Sequence, residues 1–139
     1  MHSLNGSCHC GNLSVALQLT QAPAEYAPRR CDCDFCRKHG ASYLADPAGT
    51  LRIEVKNPST LSKYRQGSST ADCLVCGTCG VLVAITMECG GQCYGVVNVS
   101  VIDGDVGFGE SKIVSPRALS AEEKVARWKQ LWFARVDFK

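Results

Sequence analysis

The sequence of 139 residues has no apolar run that approaches the roughly 18 residues of a membrane-spanning helix. Its first residues, Met1-His2-Ser3-Leu4-Asn5-Gly6-Ser7, lack both the basic and the apolar stretch of a secretory signal. A net charge of +2 is too small for the concentrated basic face of a protein that binds nucleic acid or a membrane surface. We therefore expect a cytoplasmic protein without a nucleic-acid or membrane partner. The oligomeric state stays open.

Internal repeats, low-complexity tracts and interdomain linkers are also absent. Hydrophobic residues make up 45% of the chain and charged residues 20%, which is ordinary for a globular protein. A chain of this length removes about two thirds of its unfolded surface from water on folding. The sequence thus predicts one domain over residues 1–139.

Cysteine, by contrast, is abundant, with ten residues. In a reducing compartment, clustered cysteines bind metals or catalyse reactions rather than form disulfides. Neighbouring Cys-x-Cys and Cys-x-x-Cys thiols also point readily at one ion, whereas partners so close in sequence rarely bond to each other without strain. The cysteine spacing therefore predicts metal sites.

The pattern of apolar residues predicts a mainly β fold with one helix near the C-terminus. Apolar and polar residues alternate with the period of a strand over residues 13–19 and 51–55, while residues 81–86 and 94–102 are apolar and β-branched as in inner strands. Weaker strands are predicted at 41–44 and 60–65. Ser120 and Glu123 form a capping box, and Val125, Trp128, Leu131 and Trp132 share one face, so a helix is expected over about 120–134. The cysteines fall in the predicted loops.

Two cysteine pairs, each followed by glycine, predict a closed metal site. Glycine at Gly11 and Gly80 permits a turn with positive φ, so that its amide is expected to donate to a thiolate. The four ligands, Cys8, Cys10, Cys76 and Cys79, have the composition of structural zinc. His9 alternates with the ligands and is expected to face away. The alternatives are that Cys8 and Cys10 are incidental buried residues, or that Cys73, Cys76 and Cys79 bind an iron–sulfur cluster, which would need a fourth cysteine three residues on.

A third group, Cys31, Cys33 and Cys36, supplies only three thiols and predicts a zinc site with an open fourth position. Three thiolates give zinc a formal charge of −1, which favours a soft fourth ligand such as an incoming thiolate over water. Arg29, Arg30, Arg37 and Lys38 flank the group and could pair with carboxylates of a small anionic thiol. The alternative is a second structural site completed by Cys73, Cys89 or Cys93.

These motifs together resemble the glutathione-dependent formaldehyde-activating enzyme family, which shares its domain with centromere protein V. The resemblance rests on Gly6-Ser-Cys-His-Cys-Gly11, Cys31-Asp-Cys-Asp-Phe-Cys-Arg-Lys-His-Gly40 and Cys76-Gly-Thr-Cys-Gly80, and covers a core of about residues 3–102. The C-terminal helix belongs to an extension of that core. The resemblance implies several small coiled antiparallel sheets stapled by a structural zinc at Cys8, Cys10, Cys76 and Cys79. It also implies a second, labile catalytic zinc at Cys31, Cys33 and Cys36.

The activity that the resemblance implies is carbon–sulfur lyase chemistry, in which S-hydroxymethylglutathione is formed or cleaved. A thiol such as glutathione would lose its proton at the open site and attack formaldehyde. Arg37, Lys38 and His39 are predicted to contact this substrate, and Lys38 or His39 to handle the alkoxide proton. A non-catalytic module that binds zinc, glutathione or a protein partner is the alternative. Redox chemistry at Cys89 and Cys93, or at Cys73, is a third reading, which the three-residue spacing between Cys89 and Cys93 disfavours because the redox motif is Cys-x-x-Cys.

Overall fold

The computed structural model describes all residues, 1–139, and forms two sheets and two helices. The helices are α1 (Asp34–His39) and α2 (Ala121–Leu131). The strands are β1 (His2–Ser7), β2 (Leu13–Leu19), β3 (Arg29–Cys31), β4 (Tyr43–Leu44), β5 (Thr50–Val55), β6 (Leu61–Tyr64), β7 (Asp72–Cys76), β8 (Leu82–Cys89), β9 (Gln92–Asn98), β10 (Lys112–Val114) and β11 (Arg135–Phe138).

One sheet has four strands in the order β1-β2-β5-β11, and the other has seven in the order β10-β3-β4-β9-β8-β7-β6. Most neighbours are antiparallel, as predicted. Two edge strands, β10 and β11, instead pair in parallel, with β3 and β5 respectively. Both edge strands come from the C-terminal part of the chain. The prediction of a mainly β fold with several sheets is confirmed, but the sheets are not antiparallel throughout.

The main core lies between the two sheets. From the four-stranded sheet it takes Leu13, Leu17 and Ile53, and from the seven-stranded sheet Leu74 and Val97, each at most 1% exposed. The alternation predicted for residues 13–19 is present, since every second residue of β2 is buried. Burying these aliphatic side chains supplies most of the driving force for folding.

A smaller apolar cluster lies apart from the main core and contains Cys36, Tyr43, Cys73, Val96 and Trp132. The half-buried side chains of α2 pack against it. This second cluster joins the three-cysteine group to the C-terminal helix.

Helix α2 begins at the predicted capping box. The Ser120 amide donates to Glu123 Oε1 at 2.9 Å, and the Glu123 amide donates to Ser120 Oγ at 3.1 Å. The helix ends at Leu131, three residues before the predicted bound, because the chain turns into an extended conformation at Trp132. None of the helices is long and apolar enough to cross a membrane.

The expectation that the metal-binding cysteines all lie in loops is wrong. Cys36 lies in α1, Cys31 ends β3, and Cys76 ends β7. Helix α1 has only six residues, too few for an apolar period to appear in the sequence. It is stabilised locally, by a thiol at its start and by Gly40, with φ of 61°, at its end.

Candidate metal centres and binding cavity

The four cysteines predicted to form the closed site lie together. The sulfur atoms of Cys8, Cys10, Cys76 and Cys79 are all within 4.8 Å of one another. Sγ of Cys10 is 3.7 Å from Sγ of Cys8 and 3.5 Å from Sγ of Cys76. Four thiolates bound to zinc at about 2.3 Å in a tetrahedron have sulfur atoms about 3.8 Å apart. The donor type and the spacing therefore fit a zinc ion, and His9, which is exposed, is not part of the cluster.

The amides of the two glycines beside this cluster do not donate to the thiols, contrary to the prediction. Gly11 and Gly80 do adopt positive φ, at 84° and 81°. Their amides, however, donate to the carbonyl oxygens of Cys8 and Cys76, closing tight turns. The sulfur atoms instead accept from the amides of Leu13, at 3.3 Å to Cys8, and of Cys79, at 3.5 Å to Cys76. The predicted donation from glycine to sulfur is thus wrong, because the turn brings a different amide to each thiol.

The three cysteines of the second group also converge, with all their sulfur atoms within 4.8 Å of one another. Cys33 is the N-cap residue of α1, and its Sγ accepts from the Cys36 amide at 3.4 Å. Gln66 Nε2 donates to the same sulfur at 3.8 Å. No His, Cys, Asp or Glu joins the three as a fourth member. The donor set thus fits a zinc ion with one position left for a ligand that is not a side chain of this chain.

The leftover cysteines do not complete this group. Cys73 is buried and borders the same cavity, but its sulfur is not a member of the cluster. Burial, with a smaller contribution from the charge of Cys33, raises the pKa of Cys73 to about 12. Cys89 and Cys93 lie at the β8–β9 hairpin, where Cys89 is opposite Gln92 and Cys93 is opposite Glu88. The alternative of a second closed site therefore lacks a fourth cysteine ligand.

Tyr43 is a buried neighbour of the open cluster that the sequence did not reveal. Its hydroxyl lies 3.1 Å from Sγ of Cys36. Burial, followed by the negative charge of Cys36, raises the pKa of Tyr43 above its usual range. The hydroxyl therefore stays protonated at neutral pH and shares a hydrogen bond with the sulfur.

The thiols of Cys31 and Cys36 interact, and the interaction shifts their pKa values in opposite directions. A hydrogen bond from Cys36 lowers the pKa of Cys31 to about 6, and the same contact together with burial raises the pKa of Cys36. Of these two thiols, Cys31 is therefore the one that loses its proton more readily. A thiolate that is already deprotonated is the form that binds zinc.

A cavity of about 440 Å³ borders the open cluster. Cys31, Cys33, Cys36 and Tyr43 contribute to its lining, and Trp128, Leu131 and Trp132 contribute from α2 and the residue after it. The lining contains four basic residues and no acidic one; the basic residues are Arg29, Arg117, Lys124 and Arg127. A ligand of this cavity therefore meets thiols, an apolar surface and positive charge.

Three of the four basic residues of the lining have a polar or charged neighbour. Arg117 Nε is 3.4 Å from Oδ1 of Asp32, the residue between two of the clustered cysteines, and Lys124 Nζ donates to Ser68 Oγ at 3.3 Å. Burial and then the positive charge of Arg127 lower the pKa of Arg29. Two like charges are thus brought near each other beside the cavity.

The residues predicted to contact a substrate lie elsewhere. Arg37, Lys38 and His39 are exposed on α1 and do not line the cavity, and His39 instead contacts Phe35, with ring centroids 4.7 Å apart. Their role in binding stays a prediction.

Of the two arginines that precede the three-cysteine group, Arg29 lines the cavity and Arg30 is exposed. The cations from α2 could not be found from the sequence because the helix is distant in the chain from the cysteines.

The structure is thus a mainly β protein with two clusters of thiols that could each hold a metal ion, one of which borders a cavity. Residues 3–118 match the glutathione-dependent formaldehyde-activating enzyme family. The chain belongs to this family, and the resemblance seen in the cysteine motifs is confirmed. The chain is also similar to a protein of Rhodobacter sphaeroides known from its crystal structure, with 30% identity and a TM-score of 0.61. That similarity covers 79% of this chain and 99% of the other.

Proposed function

We propose that this protein is a zinc-dependent carbon–sulfur lyase of the cytoplasm, which forms or cleaves S-hydroxymethylglutathione. The observation that carries the proposal is the open three-cysteine cluster beside a cavity with four basic residues and no acidic one. Family membership supports dependence on glutathione and formaldehyde. None of the ten cysteines forms a disulfide in the structure, which supports a reducing compartment.

The proposal assigns one zinc ion to each cluster. Cys8, Cys10, Cys76 and Cys79 would hold the structural ion, and Cys31, Cys33 and Cys36 the catalytic one. The Lewis acidity of zinc, when bound at the open cluster, would keep a thiol deprotonated at neutral pH. Tyr43 would hold Cys36 in place through its hydrogen bond, and the cysteine side chains would fix where the reacting sulfur lies.

The reaction itself needs no oxidant or reductant. The thiolate sulfur donates an electron pair to the aldehyde carbon, a C–S bond forms, and the carbonyl π electrons move to oxygen. The oxygen then takes up the proton that the thiol lost, and the reverse path expels the aldehyde. Positive charge from the lining arginines and lysine would pair with the glutathione carboxylates. Lys38 and His39 remain the predicted groups for the alkoxide proton.

The test measures the rate of exchange between glutathione, formaldehyde and their adduct by two-dimensional exchange NMR. We expect the zinc-loaded protein to accelerate exchange at least tenfold over buffer, and Cys33→Ser to remove the acceleration. Cys89→Ser, with the same chemical change outside both clusters, is the matched control. Glutathione binding without acceleration would favour the non-catalytic binding module, and undiminished activity of Cys33→Ser would contradict the assigned site.

A further inference from the structure

Helix α2 lies beyond the part of the chain that matches the family, which ends at residue 118. Both of its flanks are nevertheless attached to the sheets. Before the helix, β10 pairs with β3. After it, Phe133 exchanges two backbone hydrogen bonds with Gly95, at 2.9 and 3.1 Å, and β11 pairs with β5. The helix is therefore a fixed wall of the cavity rather than a loose tail.

The apolar face of α2 packs against the second apolar cluster but is only half-buried, and part of it lines the cavity. Val125, Trp128 and Leu131 are all half-buried, and no residue of the helix is fully buried. An amphipathic helix ordinarily buries such a face against a core. Here Trp128 and Leu131 line the cavity, and Trp128 stacks on Trp132 with ring centroids 4.6 Å apart. Trp132 is buried, whereas part of the Trp128 indole stays uncovered at the cavity.

Two arginines of the lining have no carboxylate partner. Arg29 and Arg127 make no ion pair, whereas Arg117 pairs with Asp32. A guanidinium group beside an apolar wall is suited to bind a carboxylate through two parallel hydrogen bonds. The same ligand could therefore place a carboxylate at the arginines and an apolar group at the indoles.

We propose that α2 sets the substrate class of the open site: an anionic thiol adduct whose sulfur carries an apolar group larger than hydroxymethyl. Such adducts form from aldehydes with an aliphatic or aromatic chain. Glutathione and the hydroxymethyl group are both polar, so neither provides an apolar group to cover the exposed part of Trp128. Arg127 holds the carboxylate end, and Trp128 with Leu131 contacts the apolar end. This inference rests on the proposed function, because it assumes that the cavity is the substrate site.

The test compares two unreactive probes, S-methylglutathione and S-hexylglutathione, on the zinc-loaded protein. Both tryptophans of the chain line the cavity, so their fluorescence reports binding directly. We expect S-hexylglutathione to bind at least about tenfold tighter, the effect of fully burying two methylene groups. In Trp128→Ala this preference falls at least fivefold. Calorimetry measures the variant, since it has lost one fluorophore.

Arg127→Ala tests the anionic end, with Lys129→Ala as its control, a cation on the same helix outside the cavity lining. We expect Arg127→Ala to weaken both probes to the same extent, by about fivefold, and Lys129→Ala to change neither. Equal affinity of the wild-type protein for the two probes, no binding of either probe, or a preference kept in Trp128→Ala overturns the proposal. The wild-type comparison needs no variant to fold.

Exchange of the formaldehyde adduct is measured in the same preparation. Turnover of that adduct without a preference for the hexyl probe sinks the assigned substrate class and leaves the proposed function standing. Absence of turnover together with a strong preference for the hexyl probe would contradict the proposed function and support the assigned substrate class. The cavity would then bind the predicted class of ligand without lyase chemistry.

Discussion

The hydroxyl oxygen of Tyr43 lies 3.1 Å from the sulfur of Cys36, and both side chains are buried. A hydrogen bond to a metal-binding sulfur fixes its orientation and moderates its charge, and loss of such a partner typically lowers metal affinity 10–100-fold. We therefore expect Tyr43→Phe to weaken zinc binding at the open cluster about tenfold. The metal affinity is measured by competition with a chelator. Cobalt replaces zinc in this experiment, so that its absorption spectrum reports how much metal stays bound.

Tyr94→Phe is the matched control for that variant. Tyr94 is buried in the same apolar cluster, does not line the cavity and makes no side-chain hydrogen bond to a cysteine. Equal zinc affinity of Tyr43→Phe and wild type would show that the hydroxyl does not support the cluster.

Removing one thiol from each cluster should have unequal effects. Cys8→Ser removes a proposed zinc ligand that belongs to the main core, and structural zinc is worth on the order of 10 kcal/mol against a total stability of about 5–15 kcal/mol. We expect this variant to lose zinc and its cooperative unfolding transition. Cys33→Ser should lose only the second ion and remain folded. Zinc content and circular dichroism during heating distinguish the two, and loss of both ions in Cys33→Ser would contradict separate sites.

The buried carboxyl of Asp46 is expected to make the folded protein less stable in acid. Burial alone raises the pKa of its carboxyl, but hydrogen bonds from Thr20, Tyr26 and Ala48 outweigh burial and lower the pKa. The Oδ2 atom accepts from the Thr20 hydroxyl and the Tyr26 hydroxyl, each at 2.6 Å. A lowered pKa means that the carboxylate stabilises the fold above its ordinary pKa of about 3.9 and loses that contribution as the pH falls through the lower folded value.

The measurement is the free energy of unfolding in urea at several pH values. We expect Asp46→Asn to cost about 1–3 kcal/mol at pH 7 and to flatten the decline below about pH 4. Asp105→Asn, an exposed carboxyl, serves as the control for loss of charge and for release of zinc in acid. A decline as steep in Asp46→Asn as in wild type would assign the acid sensitivity to other groups.

The two hairpin cysteines should be dispensable for the reaction. Cys89 and Cys93 belong to neither cluster and do not line the cavity. The double substitution of Cys89 and Cys93 by serine is therefore expected to keep zinc content and exchange rate within twofold of wild type. A larger loss of rate with full zinc content would support the hypothesis that Cys89 and Cys93 carry out redox chemistry.

Local sequence was sufficient for the features whose parts lie close together in the chain. The open cluster spans only six residues, the capping box of α2 spans four, and the alternation of β2 is continuous. The closed cluster joins residues 66 apart, yet it was predicted because each half carries its own cysteine pair and glycine.

Features that depend on distant partners were not accessible from the sequence. Strand β1 is largely polar and is fixed by pairing with β2 along its whole length. Strands β10 and β11 are three and four residues long and gain their hydrogen bonds from strands far earlier in the chain. Arg29 and Arg127 meet at one cavity only after both sheets have formed, so no local pattern marks them as a pair.

The closed cluster joins the turn after β1, in the four-stranded sheet, to the turn after β7, in the seven-stranded sheet. During synthesis the first pair of thiols leaves the ribosome well before the second, so the earlier pair has no partner until Cys79 has emerged. Closing so long a loop carries an entropic cost that a bound ion can offset. Under the proposed zinc assignment, the supply of zinc would then set how much of the newly made chain completes this closure.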